Sequence, residues 1–300
     1  MTMQLVLSGC GNADGVEIVD GNLEATIVNE ETEENAATDN EENVATDTNE
    51  NDMSDKHITV IKHNVICKSD ESDEVLAEGS YPEIILDDGL KKENPELSKY
   101  IDELNENFEK ENLDMIADDG ANAKDSNIKA QSGTLVEVKR ADGKVLTLYI
   151  SGFGEAAVLY SYVNSKNLVF TTGDEVKINQ VINDPSSFAE GILAGLNKEH
   201  ADLVEECWGT DEKENIKRLE GYINDDQLTY FVNEEGIRVD FDETFFAHWC
   251  MPDDVYVMLS NADYPELINK EYAVDTKQNL DEIVEYKEVE EPIIVAPSVE

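Results

Sequence analysis

The chain is short of positive charge. Its 300 residues carry 22 Lys and Arg against 69 Asp and Glu, for a formal net charge of −47 and a pI near 4.1. Binding to a phosphate backbone takes clusters of Lys and Arg, so the composition excludes a nucleic-acid partner and disfavours docking on an anionic lipid surface. Cysteine is also scarce. Cys10, Cys67, Cys207 and Cys250 form no C-x-x-C pair, which leaves zinc and thioredoxin-type sites unsupported. No apolar run approaches 18 residues, so no segment reads as a transmembrane helix. No serine has a G-x-S-x-G setting. Gly152-Phe153-Gly154 lacks the third glycine of a phosphate loop and reads as a strand end or bulge. Asp87-Asp88-Gly89 and Asp118-Asp119-Gly120 lack the alternating ligand spacing of a calcium loop and read as turns. No motif calls for a metal or cofactor.

What is present is enough apolar sequence, 40% of residues, for one large domain or two smaller ones. The acid is spread through the chain. Residues 1–55 hold 15 of the acids and no basic residue, so the rest is strongly acidic too. Such a surface favours solubility and attracts cations and basic partners. Residues 29–55 contain 11 acids and no basic or aromatic residue, too little apolar surface to fold, and read as a disordered tether.

Ahead of that tether stands Leu7-Ser8-Gly9-Cys10. It resembles the lipobox of bacterial lipoproteins, in which small residues flank the cleaved bond and the cysteine thiol takes a diacylglycerol. Two acyl chains give stable anchoring where one does not. The resemblance implies lipid attachment at Cys10 and display on the extracytoplasmic face of a bacterial cell membrane. A signal peptide also needs a basic start and a longer apolar run than Met1 to Leu7 supplies, so either the start lies upstream, which this reading expects, or the match is chance. Cys207 and Cys250 stand beside Trp208 and Trp249 and are open to two readings, a disulfide or two buried thiols.

From His57 the pattern turns regular. "HITVIKHNVIC" and "EVLAEGSYPEIIL" read as strands, the second broken at Gly79 and Pro82. Asn94 is placed to cap a helix with Pro95 in its first turn, and Leu97, Ile101, Leu104 and Phe108 make one apolar stripe, which predicts a helix over 95–111. A hairpin turning at Asp142-Gly143, a strand ending at Thr172-Gly173-Asp174, and a second helix capped by Asp184 follow. "LTYFVNEEGIRVDFD" predicts a hairpin turning at Glu234-Glu235-Gly236, and "DVYVMLS" a last strand. The fold class expected is α+β, a largely antiparallel sheet with two main helices behind a disordered acidic tether. The expected divisions are a truncated signal and lipobox at 1–10, the tether at 11–56, α+β subdomains at 57–130 and 131–274, and an acidic tail at 275–300.

The order of these elements resembles the extracytoplasmic domain of the anti-sigma-V (RsiV-like) family, which also occurs in bacterial lipoproteins and beside peptidoglycan deacetylases. The resemblance rests on "YPEI…NPELSKYIDELNENF", "NLVFTTGDEVKINQVINDPSSF", "LTYFVNEEGIRVDFDETFFAHW" and "DVYVMLS", and covers roughly residues 57–265. It departs where the family's tight Y-E-I-A-P-Y stretch is only loosely echoed as "ETFFAHWCMP". The chain also shows neither the sigma-binding segment and membrane helix of the anti-sigma members nor the deacetylase domain. The resemblance implies a sensing or binding module displayed outside the cell.

Two functional expectations follow. The first is a non-enzymatic, lipid-anchored binding module for a basic envelope protein or a cell-wall component such as peptidoglycan. Its contact residues would be Phe245, Phe246, His248 and Trp249, aromatic groups in an expected loop; Phe231 and Phe241 fall to the core by strand alternation. The second is an enzyme, or an enzyme accessory, acting on cell-wall glycan with the acids Asp240, Asp242 and Glu243 near His248. A carboxylate pair inside a cleft favours the enzyme; exposed aromatics on an acidic face favour the binder.

Overall fold

The computed structural model describes residues 57–126, 129–155, 159–246, 255–274, 277–290 and 293–296. All belong to the unit Thr48–Glu300. Cys10 and the tether expected over 11–56 lie outside the described residues.

Strand β1 (Ile58–Lys68) pairs antiparallel with β2 (Val75–Leu86) along its whole length. Val60 and Val65 are both buried yet differ in parity, so the buried side of this hairpin changes along it. Ile58, Val60, Ile84 and Leu86 join one apolar cluster; Val65, Cys67, Ala77 and Tyr81 join another. A single long helix serves both. Helix α1 (Asp88–Glu93), with Asp87 accepting from the Leu90 amide, leads into α2 (Pro95–Ser126). Leu97, Ile101 and Phe108 of α2 fill the first cluster, and Ile116 and Ala123 the second. The helix expected over 95–111 therefore continues through Asp118-Asp119-Gly120, which is helical and not a turn. Glycine in a helix interior is about 1 kcal/mol worse than alanine. Here the space requires it, because a Cβ at Gly120 would meet the Cys67 sulfur at 2.5 Å. Asn94 precedes α2 as expected, but its side chain donates backward to the Leu90 carbonyl and closes α1.

A meander follows: β3 (Ala130–Ala141), β4 (Val145–Glu155) and β5 (Leu159–Val169). Gly143 takes φ 76° at the expected turn, and the Asp142 carboxylate accepts from the Lys144 and Val145 amides. Ala130–Gly133 of β3 pair parallel with Ala77–Ser80 of β2, so a boundary at 130 would cut between paired strands. The apolar clusters part near residues 170–176 instead.

Beyond that point come α3 (Ile178–Val181), α4 (Pro185–Glu199), α5 (Ala201–Trp208), α6 (Glu212–Asn224), β6 (Thr229–Val232), β7 (Gly236–Asp240), α7 (Glu243–Phe246) and β8 (Tyr256–Ser260). Asp184 caps α4 through the Ser186 and Ser187 amides. The second expected helix breaks at His200 into α4 and α5, and α6 is a helix not anticipated from the sequence. Strands β6, β7 and β8 form a small antiparallel sheet whose Tyr230, Val232, Ile237, Val239, Val257 and Leu259 pack with the helices.

The expected acidic tail is corrected. After α8 (Leu280–Ile283), β9 (Val284–Glu290) and β10 (Ile294–Val295) both pair parallel with β1, and Ala296 is buried. The segment is too charged to read as a strand because β9 is paired on one edge and exposed along its faces; only Val284 of it is buried. The result is a mixed seven-stranded sheet, with parallel pairs at β2–β3, β1–β9 and β1–β10, beside the small sheet. The class is α+β.

Candidate functional site: a cleft between the two sheets

The register of the meander decides what the large sheet shows to the small one. Leu135 pairs with Ser151 and Ser151 with Val163; Glu137 pairs with Tyr149 and Tyr149 with Ser165. Paired residues share a face, so Leu135, Glu137, Tyr149, Ser151, Phe153, Val163 and Ser165 all lie on one side. The small sheet is tied to that side by polar contacts. The Thr229 hydroxyl donates to the Val163 carbonyl (3.1 Å), the Tyr230 amide to the Ser165 hydroxyl (3.0 Å), and Asn167 Nδ2 to the Tyr230 carbonyl (3.1 Å). The Thr147 hydroxyl donates to Asn167 Oδ1 at 2.7 Å, fixing that amide.

Between the sheets is a cleft of about 410 Å³. Its floor is Tyr149, Ser151, Phe153 and Val163; its far wall is Asp240, Phe241, Asp242 and Glu243. Each acid is held differently. Asp240 is buried and forms a forked pair with Arg238, whose Nε and Nη2 donate to Oδ1 at 3.0 and 2.6 Å, and Tyr149 Oη donates to the same oxygen at 3.3 Å. Burial works against the Arg238 charge, but the hydrogen bonds and charge of Asp240 outweigh it and raise the guanidinium pKa. Asp242 accepts from the Thr244 amide and hydroxyl and so opens α7. Glu243 follows in the first turn of α7, with no cation paired to it among the described residues.

Beside Tyr149 and Asp240 of the cleft, cations and rings alternate. Lys139 Nζ lies 5.3 Å from the Tyr149 ring centre and 5.9 Å from that of Phe231. Arg238 lies 5.7 Å from the Phe231 ring and 3.8 Å from that of Tyr256. Lys139 is itself paired with Glu137. Lys139 and Arg238 thus each have a carboxylate already, and among the described residues no cation pairs with Asp242 or Glu243.

The expected aromatic contact residues fare differently. Phe246 is 3% exposed, stacked on Trp208 at 4.7 Å, with Phe241 5.9 Å away. Phe245 sits edge-on to Phe241 and Tyr222 at 5.3 and 5.1 Å, and its carbonyl accepts from Trp208 Nε1 at 3.0 Å. Phe246 belongs to the core beneath the cleft, and Phe245, half-buried, packs against that core, because the expected loop begins with a helical turn that rolls them inward. Phe231 and Phe241 are buried, as alternation indicated. His248, Trp249 and Cys250 lie outside the described residues. Cys207 is a half-buried free thiol, its pKa raised by burial and by Glu206. The sequence reading missed Tyr149, Ser151 and Arg238. Arg238 and Asp240 were within reach, since an i, i+2 pair of opposite charge on a strand shares one face; the partner strand of Tyr149 carried no such signal.

No protein-family model matches the chain, and no curated protein matches its sequence. Among solved structures, a DUF3298 family member from Bacteroides fragilis NCTC 9343 is similar over 73% of this chain and 96% of its own, with 11% identity and a TM-score of 0.48. A DUF3298 family protein from Pseudomonas aeruginosa PAO1 is similar over 74% of this chain and 99% of its own, with 6% identity and a TM-score of 0.42.

Proposed function

We propose that this chain is an RsiV-like, lipid-anchored extracytoplasmic binding module, and that it takes a cationic group of a basic envelope protein or cell-wall component into the cleft between its sheets. The observation that carries the reading is the charge balance of the cleft. Asp240 has Arg238, while Asp242 and Glu243 face the same space with no cation paired to them among the described residues. A lysine or arginine side chain entering there would meet two carboxylates and could lay its stem on Tyr149 and Phe153. The net charge of −47 adds long-range steering of a basic partner. A lipid at Cys10 would hold the module at the membrane.

The second reading, an enzyme or accessory acting on cell-wall glycan, is favoured by one feature, the placement of the acids in a cleft and not on a convex face. The engagement of Asp240 with both Arg238 and Tyr149 fits an anchoring role better than proton transfer.

The test is calorimetric titration of the full chain with tetralysine amide, compared with its fully acetylated form. The reading expects binding that weakens with salt, is lost on acetylation, and falls at least about tenfold in Asp242→Asn/Glu243→Gln, since each exposed to half-buried charge contact contributes on the order of 1 kcal/mol. Equal binding by the double variant overturns the cleft assignment.

A further inference from the structure

Strands β2 and β3 begin as a parallel pair and then part. The partner of Gly133 is Ser80, and the next residue of β2 that should donate to β3 is Pro82, which has no N–H. From there each strand has a bare edge. On β2 the edge is closed from within, since Asn105 of α2 accepts from the Ile84 amide at 2.9 Å and donates to the Ile84 carbonyl at 2.8 Å. On β3 the closure is incomplete. The Val138 amide donates to Tyr286 Oη at 2.9 Å, and the Ala141 amide to Gln278 Oε1 at 3.0 Å.

The ladder shows what is left over. Residues of an antiparallel pair alternate between those that bond across it and those whose N–H and C=O point away. Val138 points away from β4, as its bond to Tyr286 shows, and Val136 has the same parity opposite Ile150. The N–H and C=O of Val136 and the carbonyl of Thr134 therefore face the parted edge, where no described strand pairs with them. Val136 is only 5% exposed, and backbone groups so placed are ordinarily bonded. They open onto a slot of about 280 Å³. Its walls are apolar at Val60, Ile61, Pro82 and Leu135. At its rim Lys62 is paired with Glu288 and Lys287 with Glu285, so the rim is balanced in charge.

We propose that this slot receives a short extended peptide segment of a partner protein, which adds to the open edge of β3 at Thr134–Val136. Acceptor, donor and acceptor in sequence along one edge match the N–H, C=O and N–H of an extended chain. One side chain of the segment would enter the apolar slot and should be small and apolar. The flanking residues should be basic. Leu135 lines both the slot and the acidic cleft, so a segment leaving the slot passes Asp242 and Glu243, which pair with no cation among the described residues. The proposal rests on the reading of the cleft as a cation site for that last point and adds the chemistry of the ligand backbone, which the cleft does not specify.

The experiment uses the full chain with a capped peptide, acetyl-Lys-Val-Lys-Val-Lys-amide, and the same peptide N-methylated at both valines. The methyl groups remove backbone donors without altering charge. Binding is followed by calorimetry and by amide hydrogen exchange. The expected result is at least a tenfold loss of affinity on N-methylation and new protection of the Val136 amide with the parent peptide. Equal affinity of the two peptides with an unprotected Val136 overturns strand addition while leaving a cation site in the cleft. Weaker binding of the parent peptide by Asp242→Asn/Glu243→Gln, with N-methylation harmful in the unaltered protein, supports both; undiminished affinity of that double variant with N-methyl sensitivity retained supports the slot and overturns the cleft. No binding of either peptide overturns the slot.

Discussion

Phe246 separates two accounts of the region beneath the cleft, and its truncation gives them opposite outcomes. In the structure the ring is 3% exposed, stacked on Trp208 at 4.7 Å with planes 12° apart, and 5.9 Å from Phe241. Phe246→Ala removes a buried ring from a cluster that also holds Val204, Leu219 and Val255. Phenylalanine truncations in cores cost about 3–5 kcal/mol, the loss of an aromatic pair being part of that sum. A domain of ordinary stability has only about 5–15 kcal/mol in all. The variant should therefore lose a large share of its resistance to urea. The assay is equilibrium urea unfolding followed by far-ultraviolet circular dichroism, with Phe246→Leu as the partial refill. Leu should restore more than half of the loss, because it keeps apolar volume against Trp208. If Phe246 were instead a surface anchor for a partner, Ala would cost under about 1 kcal/mol of stability and the damage would appear in binding. A small stability loss in Phe246→Ala refutes the packing argument.

Three further outcomes are expected. Arg238→Met leaves Asp240, whose side chain is 5% exposed, without its forked partner, and should destabilise by about 3–5 kcal/mol in urea; Arg238→Met/Asp240→Leu should recover much of that. Gly152→Ala puts a Cβ 1.9 Å from the far end of the Tyr162 ring, which is 39% exposed and can swing outward, so it should cost under about 1 kcal/mol in thermal unfolding, and a larger loss would contradict that freedom. The hydrogen bonds from Ser187 and Ser186 hold the Asp184 pKa below its ordinary value of 3.8. A depressed carboxylate stabilises the fold above its unfolded pKa and loses that effect as pH falls through the folded value. The melting-temperature gap between the protein and Asp184→Ala should accordingly be full near neutrality and shrink below pH 3.8, and a gap that widens in acid contradicts the cap.

Where periodicity and turn chemistry agreed, the sequence was legible. The stripe Leu97, Ile101, Phe108 and the turns at Gly143 and Gly236 all stand where the pattern put them. The errors have particular causes. Helix α2 outlasted its apolar stripe because Gly120 lets it pass close against Cys67, a residue adjacent in space but far earlier in the sequence. Strand β9 was hidden by its charge, since a strand paired on one edge and exposed on its faces needs few apolar residues. Phe245 and Phe246 looked like loop aromatics because nothing local shows that Trp208 lies above one and Tyr222 beside the other. In the cleft, the acids 240–243 were visible as a cluster, but their relation to Tyr149 depends on a docking of two sheets that no local pattern encodes.

The central claim is that a cationic group of the ligand is taken between the sheets at Asp242 and Glu243. The most direct measurement is amide chemical-shift mapping of the full chain during titration with tetralysine amide in about 0.1 M salt, where the Debye length of about 10 Å suppresses diffuse attraction. The account predicts saturable shifts confined to Ser151, Val163, Asp242, Glu243 and their neighbours. Shifts spread along the exposed acids of α2, without saturation and with none at the cleft, would contradict it.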